Sequence, residues 1–396
     1  MINELILTRN VGKVKDIETY LASQGFDALR KSKDLGKEAV IAEIKNSGLR
    51  GRGGAGFPTG LKWELARKEK GEPRYLICNA DEGEVGTFKD RYLIKNDPYS
   101  LIEGLLIAGY VLDTKKSFIY LRGEYRELLD TLKRAIEEAR QRGFMADMEI
   151  EIRLGAGAYI CGEETALMES IEGKRGDIRY KPPFPTQEGL WAKPTVINNV
   201  ETLMNIPPII LKGSGWFSQI GTNISKGTKV FCACGDLEKA LVFEERLGVS
   251  LKDILQEYVT PLGEVRMVQI GGASGRIIPK EKLDTPLSFE TILGTGGIMV
   301  FNSLRDPVDV VKRNIEFFLE ESCGKCTPCR EGTQILFNLL EKILAGEGLK
   351  RDIDSLERIS QTMMISSLCG LGQACPNTLM DSLEYFKDCY LERVRG

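Results

Sequence analysis

The sequence predicts an α/β protein built in three parts, and three changes of periodicity along it carry that prediction. Between Gly48 and Gly221 short β-like runs alternate with helical patterns. In Lys229–Ala233 and Glu264–Ile270 the apolar period becomes two, and from Pro307 onward it becomes that of a helix. The division that follows is residues 1–47 as a leading arm, 48–221 as an α/β domain, 222–306 as a small α+β domain and 307–396 as a four-helix bundle.

Each element has its own justification. In the arm, Ile17 and Leu21 and then Ala39, Ile41 and Ile44 have helical spacing and no chemistry of their own. Strands are predicted at Tyr75–Cys78, Phe118–Leu121 and Glu149–Leu154, with a helix over Tyr125–Arg142. In the α+β part a helix over Leu251–Tyr258 separates the two strands, and a Gly-rich stretch, Gly294–Val300, follows. The bundle rests on four amphipathic stripes: Val308, Val311, Ile315, Phe318; Ile335, Leu339, Ile343; Ile353, Leu356, Ile359, Met363; and Leu379, Leu383, Phe386, Tyr390.

Composition excludes whole classes of function. The 396 residues include 54 Lys+Arg, 57 Asp+Glu, 10 Cys and no His, so Ser-His-Asp and Cys-His hydrolysis, His-ligated haem and imidazole-based zinc sites are out of reach of this chain alone. Any general acid or base is Asp, Glu, Lys, Tyr or Cys. A net charge of −3 gives no reason to expect nucleic acid as a partner. Apolar runs such as Leu105–Leu112 and Ile206–Leu211 fall short of a membrane span, so no membrane insertion is expected. The start, MINELILTRN, carries no visible targeting pattern, and a reducing, cytoplasmic compartment is expected, in which the cysteines are metal ligands or buried thiols.

The sharpest motif is Glu321-Ser-Cys323-Gly-Lys-Cys326-Thr-Pro-Cys329, with Cys369 and Cys375 downstream. Consecutive C-x₂-C steps wrap three thiolates around one compact centre, and a distant fourth closes the cage, which is the logic of an iron–sulfur cluster. A Cys₄ zinc knuckle is the alternative, although it usually presents two C-x₂-C pairs. Spacing alone leaves the fourth ligand open between Cys369 and Cys375. Lys325 and Arg330 would offset the anionic charge of the site or stand in solvent.

Three loops are candidates for an anionic, nucleotide-like ligand. Gly51-Arg52-Gly53-Gly54-Ala-Gly56-Phe57-Pro-Thr-Gly60-Leu-Lys62 contains a formal G-x-G-x-x-G, but it follows a helical pattern and lacks the acidic partner in strand context, so it fails as a Rossmann fingerprint. Its glycines still let backbone N–H groups approach an anion, with Arg50, Arg52 and Lys62 adding charge. After the first strand, Asn79-Ala-Asp81-Glu82-Gly-Glu84 crowds three carboxylates, either as a solvated acidic turn or as a site for ribose hydroxyls and an amide. After Glu149–Leu154, the turn through Tyr159, Gly162, Glu163 and Glu164 enters a helix. Capping explains its carboxylates locally, and such turns are also where dinucleotides bind. Lys181-Pro-Pro-Phe184 adds a rigid aromatic beside a cation.

In this order, the blocks resemble the NADH-oxidising flavoprotein subunit of respiratory complex I, a family that also supplies diaphorase subunits of NAD-linked hydrogenases and formate dehydrogenases. The resemblance runs from about Gly48 to Cys389. It implies a Rossmann-like FMN/NADH domain, a ubiquitin-like α+β domain and a four-helix bundle carrying a [4Fe–4S] cluster. FMN would be held by the Gly51–Gly60 loop with Lys62, by Asn79–Glu84, and by Asn198 and Asn199. Phe57 and Phe184 resemble adenine-side aromatics, Lys181 a cation near the dinucleotide, Glu164 a ribose partner and Glu84 the carboxylate near the nicotinamide. The family assigns Cys323, Cys326, Cys329 and Cys369 to the cluster.

It implies oxidation of NADH by hydride transfer to FMN, onward passage of single electrons, and as partners a thioredoxin-like [2Fe–2S] subunit and a larger iron–sulfur subunit, with any membrane association peripheral, through the larger complex. Two departures stand out: Glu84-Val85-Gly86 replaces Glu-Pro-Gly, and Leu65 replaces an aromatic of some relatives. Cys232, Cys234, Cys375 and Cys389 receive no role. An electron-bifurcating or NAD-reducing diaphorase role is the neighbouring reading, and a non-catalytic, zinc-stabilised nucleotide-binding scaffold the distant one.

Overall fold

The computed structural model describes residues 4–395. Four parallel strands, β1 (Tyr75–Ala80), β2 (Lys116–Leu121), β3 (Glu149–Leu154) and β4 (Thr195–Asn199), form a sheet in the order β3-β2-β1-β4. The near-continuous burial of β1 and β2 is what a parallel sheet covered on both faces demands. One cover is the Pro98–Leu112 helix, in which every residue except Tyr110 is buried. It contains the apolar run Leu105–Leu112, and among the described residues no helix is long and apolar enough to cross a membrane. The predicted helix over Tyr125–Arg142 is divided, with a 3₁₀ stretch at Gly123–Leu128 before the α-helix Leu129–Gln141.

A second sheet holds β5 (Thr228–Gly235), β6 (Leu241–Arg246), β7 (Val265–Ile270), β8 (Arg276–Pro279) and β9 (Gly297–Asn302) in the order β6-β5-β9-β7-β8. Its central pair, β5 and β9, is parallel and the other pairs are antiparallel. The Leu251–Glu257 helix packs Leu251 and Ile254 into the core made by Phe231, Phe243, Val268 and Val300. One helix over a mixed sheet with this order is the arrangement that a ubiquitin-like part requires. β6 and β8 escape a reading by periodicity because one carries three charged residues and the other spans four residues.

The helical part contains Pro307–Glu321, Thr327–Leu344, Lys350–Ser366 and Asn377–Tyr385. Two predicted stripes need correction. On Thr327–Leu344 the buried stripe is Leu336, Leu340 and Ile343, whereas Ile335 is exposed, because these three continue the helix face that begins with buried Cys329 and Gly332. The last stripe breaks at Phe386, which leaves the helical conformation, and resumes in Lys387–Leu391.

The leading segment packs rather than hangs free. Tyr20, Phe26, Val40 and Ile44 enter the core of the α/β part. Buried Glu103 accepts from the Tyr20 hydroxyl at 2.5 Å and from the backbone N–H groups of Phe26 and Leu29 at 3.0 Å. Farther forward, the N–H groups of Leu7 and Thr8 donate to Glu244 on β6 at 3.0 and 2.9 Å, so the segment ties both sheets together.

Candidate functional site

The strand order reverses between β1 and β4, with β2 and β3 both lying on the far side of β1. Ligands of open α/β sheets bind outside the carboxyl ends of strands at such a switch point. Asn79 of β1 and Asn198 and Asn199 of β4 stand there, along with the loops that follow β1 and β3. Trp63 Nε1 donates to Asn198 Oδ1 at 2.9 Å, and Asn199 Nδ2 donates to Asp90 Oδ2 at 2.6 Å. Both asparagines are therefore oriented by the protein.

The Gly-rich loop lies against this edge. It turns back on itself through Gly51 N–H to Phe57 O at 2.9 Å and Arg50 Nε to Gly56 O at 2.6 Å, then enters the Thr59–Lys68 helix. A Cβ at Gly53 would lie 3.1 Å from Asn199 Cβ, and one at Gly56, where φ is +66°, would lie 2.5 Å from the Phe289 ring. The loop's two arginines are engaged by backbone carbonyls. Arg52 is buried, donates to Lys226 O at 2.5 Å and Arg50 O at 3.2 Å, and is pushed down to about 10 by burial. Lys62 remains as the loop's cation toward the acidic side: its Nζ donates to Ile197 O at 3.1 Å and lies 4.0 Å from Glu164 Oε2.

The three crowded carboxylates are not a solvated acidic turn. Glu82 is 6% exposed and accepts from the N–H groups of Asp90 and Arg91 at 2.8 and 3.1 Å and from the Tyr125 hydroxyl at 3.1 Å, so it braces the start of the Lys89–Asn96 helix. Burial, with Asp90 alongside, pushes it up to about 7. Glu84 accepts from Ser274 Oγ at 2.6 Å and the Tyr159 hydroxyl at 2.8 Å, and burial raises its pKa. Asp81 is different: its buried Oδ2 has no hydrogen-bond partner, and burial pushes the carboxyl up to about 7. Gly86, at φ +75°, sets the turn after Glu84, and a Cβ there would lie 2.8 Å from Met299.

Behind these loops is a charge network with no signature in the sequence. Lys229 Nζ on β5 is hydrogen-bonded to Glu201, and Lys89 Nζ lies 3.0 Å from Glu201 and 2.7 Å from Asp90. All four are buried, and such groups are held by pairing. Burial pushes Lys229 down to about 8.

On the third loop, Gly162 O accepts from Asn79 Nδ2 at 2.9 Å. Glu163 caps the Glu164–Ile171 helix by accepting from Thr165 and Ala166 N–H at 2.7 and 3.0 Å. Glu164 faces Lys181 Nζ at 2.6 Å, with Phe57 44% and Phe184 53% exposed in the same set of loops. Tyr159 links this edge to the helical part: its N–H donates to Glu321 Oε2 at 2.8 Å, and its ring meets Phe317 edge-on at 5.0 Å.

Two residues beyond Glu321 the cysteine motif begins. Gly324, at φ +74°, turns the chain, Cys326 precedes the Thr327–Leu344 helix and Cys369 precedes Gly370–Ala374. Burial raises Cys329 to about 11, and the neighbouring Cys326, Cys369 and Cys323 add to the effect. Cys375 is fully buried in the apolar core. Lys325 Nζ donates to Ile178 O at 2.5 Å and Arg330 Nη1 to Gly324 O at 2.9 Å, so both cations also brace the backbone. Among the described residues no three His, Cys, Asp or Glu side chains converge as ligands of one ion. A four-iron cube spaces its thiolates more widely than one tetrahedral ion does.

The residues present fit both cofactors. The unpartnered Asp81 oxygen and the space kept at Gly53, Gly83 and Gly162, where a Cβ would come within 3.1, 3.1 and 3.3 Å of Asn199, Tyr159 and Asp81, make a polar cradle. The thiol set suits a cluster. Ser274 and Trp63 join the site without a motif of their own; the only signal for Ser274 is its place in Gly271-Gly272-Ala-Ser274-Gly275.

Residues 44–208 match the family model for the Nuo51 FMN-binding domain, and residues 309–393 match that for the NADH-ubiquinone oxidoreductase-F iron–sulfur binding region. The chain is 42% identical to the HndC subunit of the NADP-reducing hydrogenase of Solidesulfovibrio fructosivorans over 98% of this chain and 83% of that one. It is 42% identical to a subunit of the NADH-quinone oxidoreductase of Aquifex aeolicus over 98% and 93%. A solved NAD+-reducing [NiFe]-hydrogenase in the H2-reduced state contains a chain with a TM-score of 0.89 and 39% identity, covering 97% of this chain and 67% of that one. The chain therefore belongs to the family of NADH-quinone oxidoreductase and NAD-linked hydrogenase subunits that join an FMN-binding domain to a 4Fe–4S binding region.

Proposed function

We propose that this chain is the NADH-oxidising subunit of a multisubunit oxidoreductase, with residues 48–221 holding FMN and the dinucleotide, 222–306 closing the site from the side, and 307–396 carrying the cluster. The cofactors supply the redox chemistry, two-electron exchange with NADH at the flavin and one-electron passage through the cluster. The chain supplies position and electrostatics. Asp81 would hold the flavin's hydroxyl-bearing side chain, Lys62 and the Gly51–Gly60 N–H groups would hold its phosphate, and Glu84 would receive the carboxamide of the nicotinamide. Phe57 and Phe184 flank the adenine, and Glu164, oriented by Lys181, accepts from the ribose. Cys323, Cys326, Cys329 and Cys369 bind the cluster.

The observation that carries this reading is the hydrogen-bonded path from Glu84 through Tyr159 to Glu321, two residues before Cys323. It ties the proposed nicotinamide side to the proposed cluster. Relatives belong to larger assemblies, which supports the existence of partner chains; the thioredoxin-like [2Fe–2S] and larger iron–sulfur chains are the proposed acceptors. A second reading, preference for NADP(H), is favoured by Lys62 and Lys181 beside Glu164 and by the name of the hydrogenase relative.

The test is an anaerobic titration of the cofactor-loaded chain, alone and in its native assembly, with NADH and separately with NADPH. Flavin bleaching together with the cluster's paramagnetic signal is expected with NADH at lower concentration. Loaded protein that stays oxidised with both nucleotides overturns the proposal.

A further inference from the structure

We propose that Ser274, on the turn between β7 and β8, is a positioning residue that sets the orientation of the Glu84 carboxylate for the dinucleotide; the inference rests on the role proposed above for Glu84. Ser274 Oγ donates to Glu84 Oε2 at 2.6 Å, and the Tyr159 hydroxyl donates to the same oxygen at 2.8 Å. Oε1 takes the longer contact from Ser274 N–H at 3.3 Å, and the Ala273 N–H also donates to the carboxylate. The two hydroxyls thus fix the direction of the carboxylate from two sides, while the backbone N–H groups hold it against the turn. The competing acceptor for the Ser274 hydroxyl, Gly271 O, lies at 3.4 Å, so Glu84 is its principal partner.

The turn is built around this contact. Gly272 has φ +80°, and a Cβ there would fall 2.2 Å from Glu84 Cγ, so the carboxylate arm occupies space that only glycine leaves open. On its other side, Ser274 O accepts from Asn377 Nδ2 at 2.9 Å, at the start of the Asn377–Tyr385 helix. Ser274 therefore sits where the two sheets and the helical part meet, and the second sheet contributes a side chain to the proposed nicotinamide side. A carboxylate held by charge-assisted hydrogen bonds is oriented before the ligand arrives.

The experiment measures equilibrium binding of NAD+ to the oxidised protein carrying FMN and cluster, for wild type, Ser274→Ala, Ser274→Thr, Glu84→Gln and the double variant Glu84→Gln/Ser274→Ala. Flavin and iron content and the thermal midpoint are recorded for each. Ser274→Ala is expected to raise the NAD+ Kd by about tenfold, the loss of one hydrogen bond to a charged group. Ser274→Thr, which keeps the hydroxyl, stays within about twofold of wild type, and in the Glu84→Gln background the alanine adds less than about twofold. Equal loss in both backgrounds overturns the inference, because Ser274 then acts through the fold. An effect of Glu84→Gln with none from Ser274→Ala overturns the inference and leaves the Glu84 reading standing. No effect from either variant overturns both.

Discussion

Replacing Asp81 by Asn tests the flavin cradle through pH. The Asp81 carboxyl is pushed up to about 7 by burial, and its Oδ2 has no partner within the chain. A cofactor hydroxyl donating to that oxygen favours the ionised form and draws its pKa back toward the ordinary carboxylate range. Below pH 7 the apo-protein then holds a proton that binding must release, and above pH 7 it does not. Each pH unit below 7 accordingly weakens FMN binding by up to about tenfold, ~1.4 kcal/mol. The assay is quenching of FMN fluorescence on titration with apo-protein from pH 5.5 to 8.5, on the order of three pH units around the expected break. The FMN phosphate also titrates, but equally for Asp81→Asn, so the difference between the two slopes isolates Asp81. The variant is expected to bind FMN more weakly at pH 8, by about 1.5–3 kcal/mol, with a flatter pH profile. Parallel profiles for wild type and Asp81→Asn refute the assignment.

Other outcomes follow from groups elsewhere. The folded pKa of Glu103, about 7, lies above its ordinary 4.5, so its contribution to stability is fully present below pH 4.5 and is lost as pH rises to 7. Denaturant titrations should show about 3 kcal/mol of that dependence disappearing in Glu103→Gln. Cys326→Ser should reduce acid-labile sulfide to background while FMN is retained, since the thiols and the cradle lie on different parts of the chain; loss of both counts against independent sites. Glu164→Gln should shift the ratio of NADH to NADPH efficiency toward NADPH by roughly tenfold, read by steady-state reduction of an artificial acceptor. An unchanged ratio removes Glu164 from the discrimination.

The sequence by itself determined the class of the molecule and marked the cysteine motif of its iron–sulfur region. Periodicity marks strands at Tyr75, Phe118 and Glu149 and helices after Pro307, because apolar spacing is local information. The absence of His excludes imidazole chemistry without any structure, and the cysteine triplet announces the iron–sulfur region that the family model also assigns. Only tertiary structure decided which charges are available to a ligand. Arg52 and Glu82 read as a cation and an anion for a nucleotide, yet one is bonded to backbone carbonyls and the other braces a helix start. Asp81, one residue from Glu82, is left with an unpartnered oxygen. Ser274 and Lys229 reach Glu84 and Glu201 across 190 and 28 residues of chain. The physical reason is that a side chain's availability depends on which donors and acceptors surround it after folding, and those arrive from segments with no sequence spacing in common.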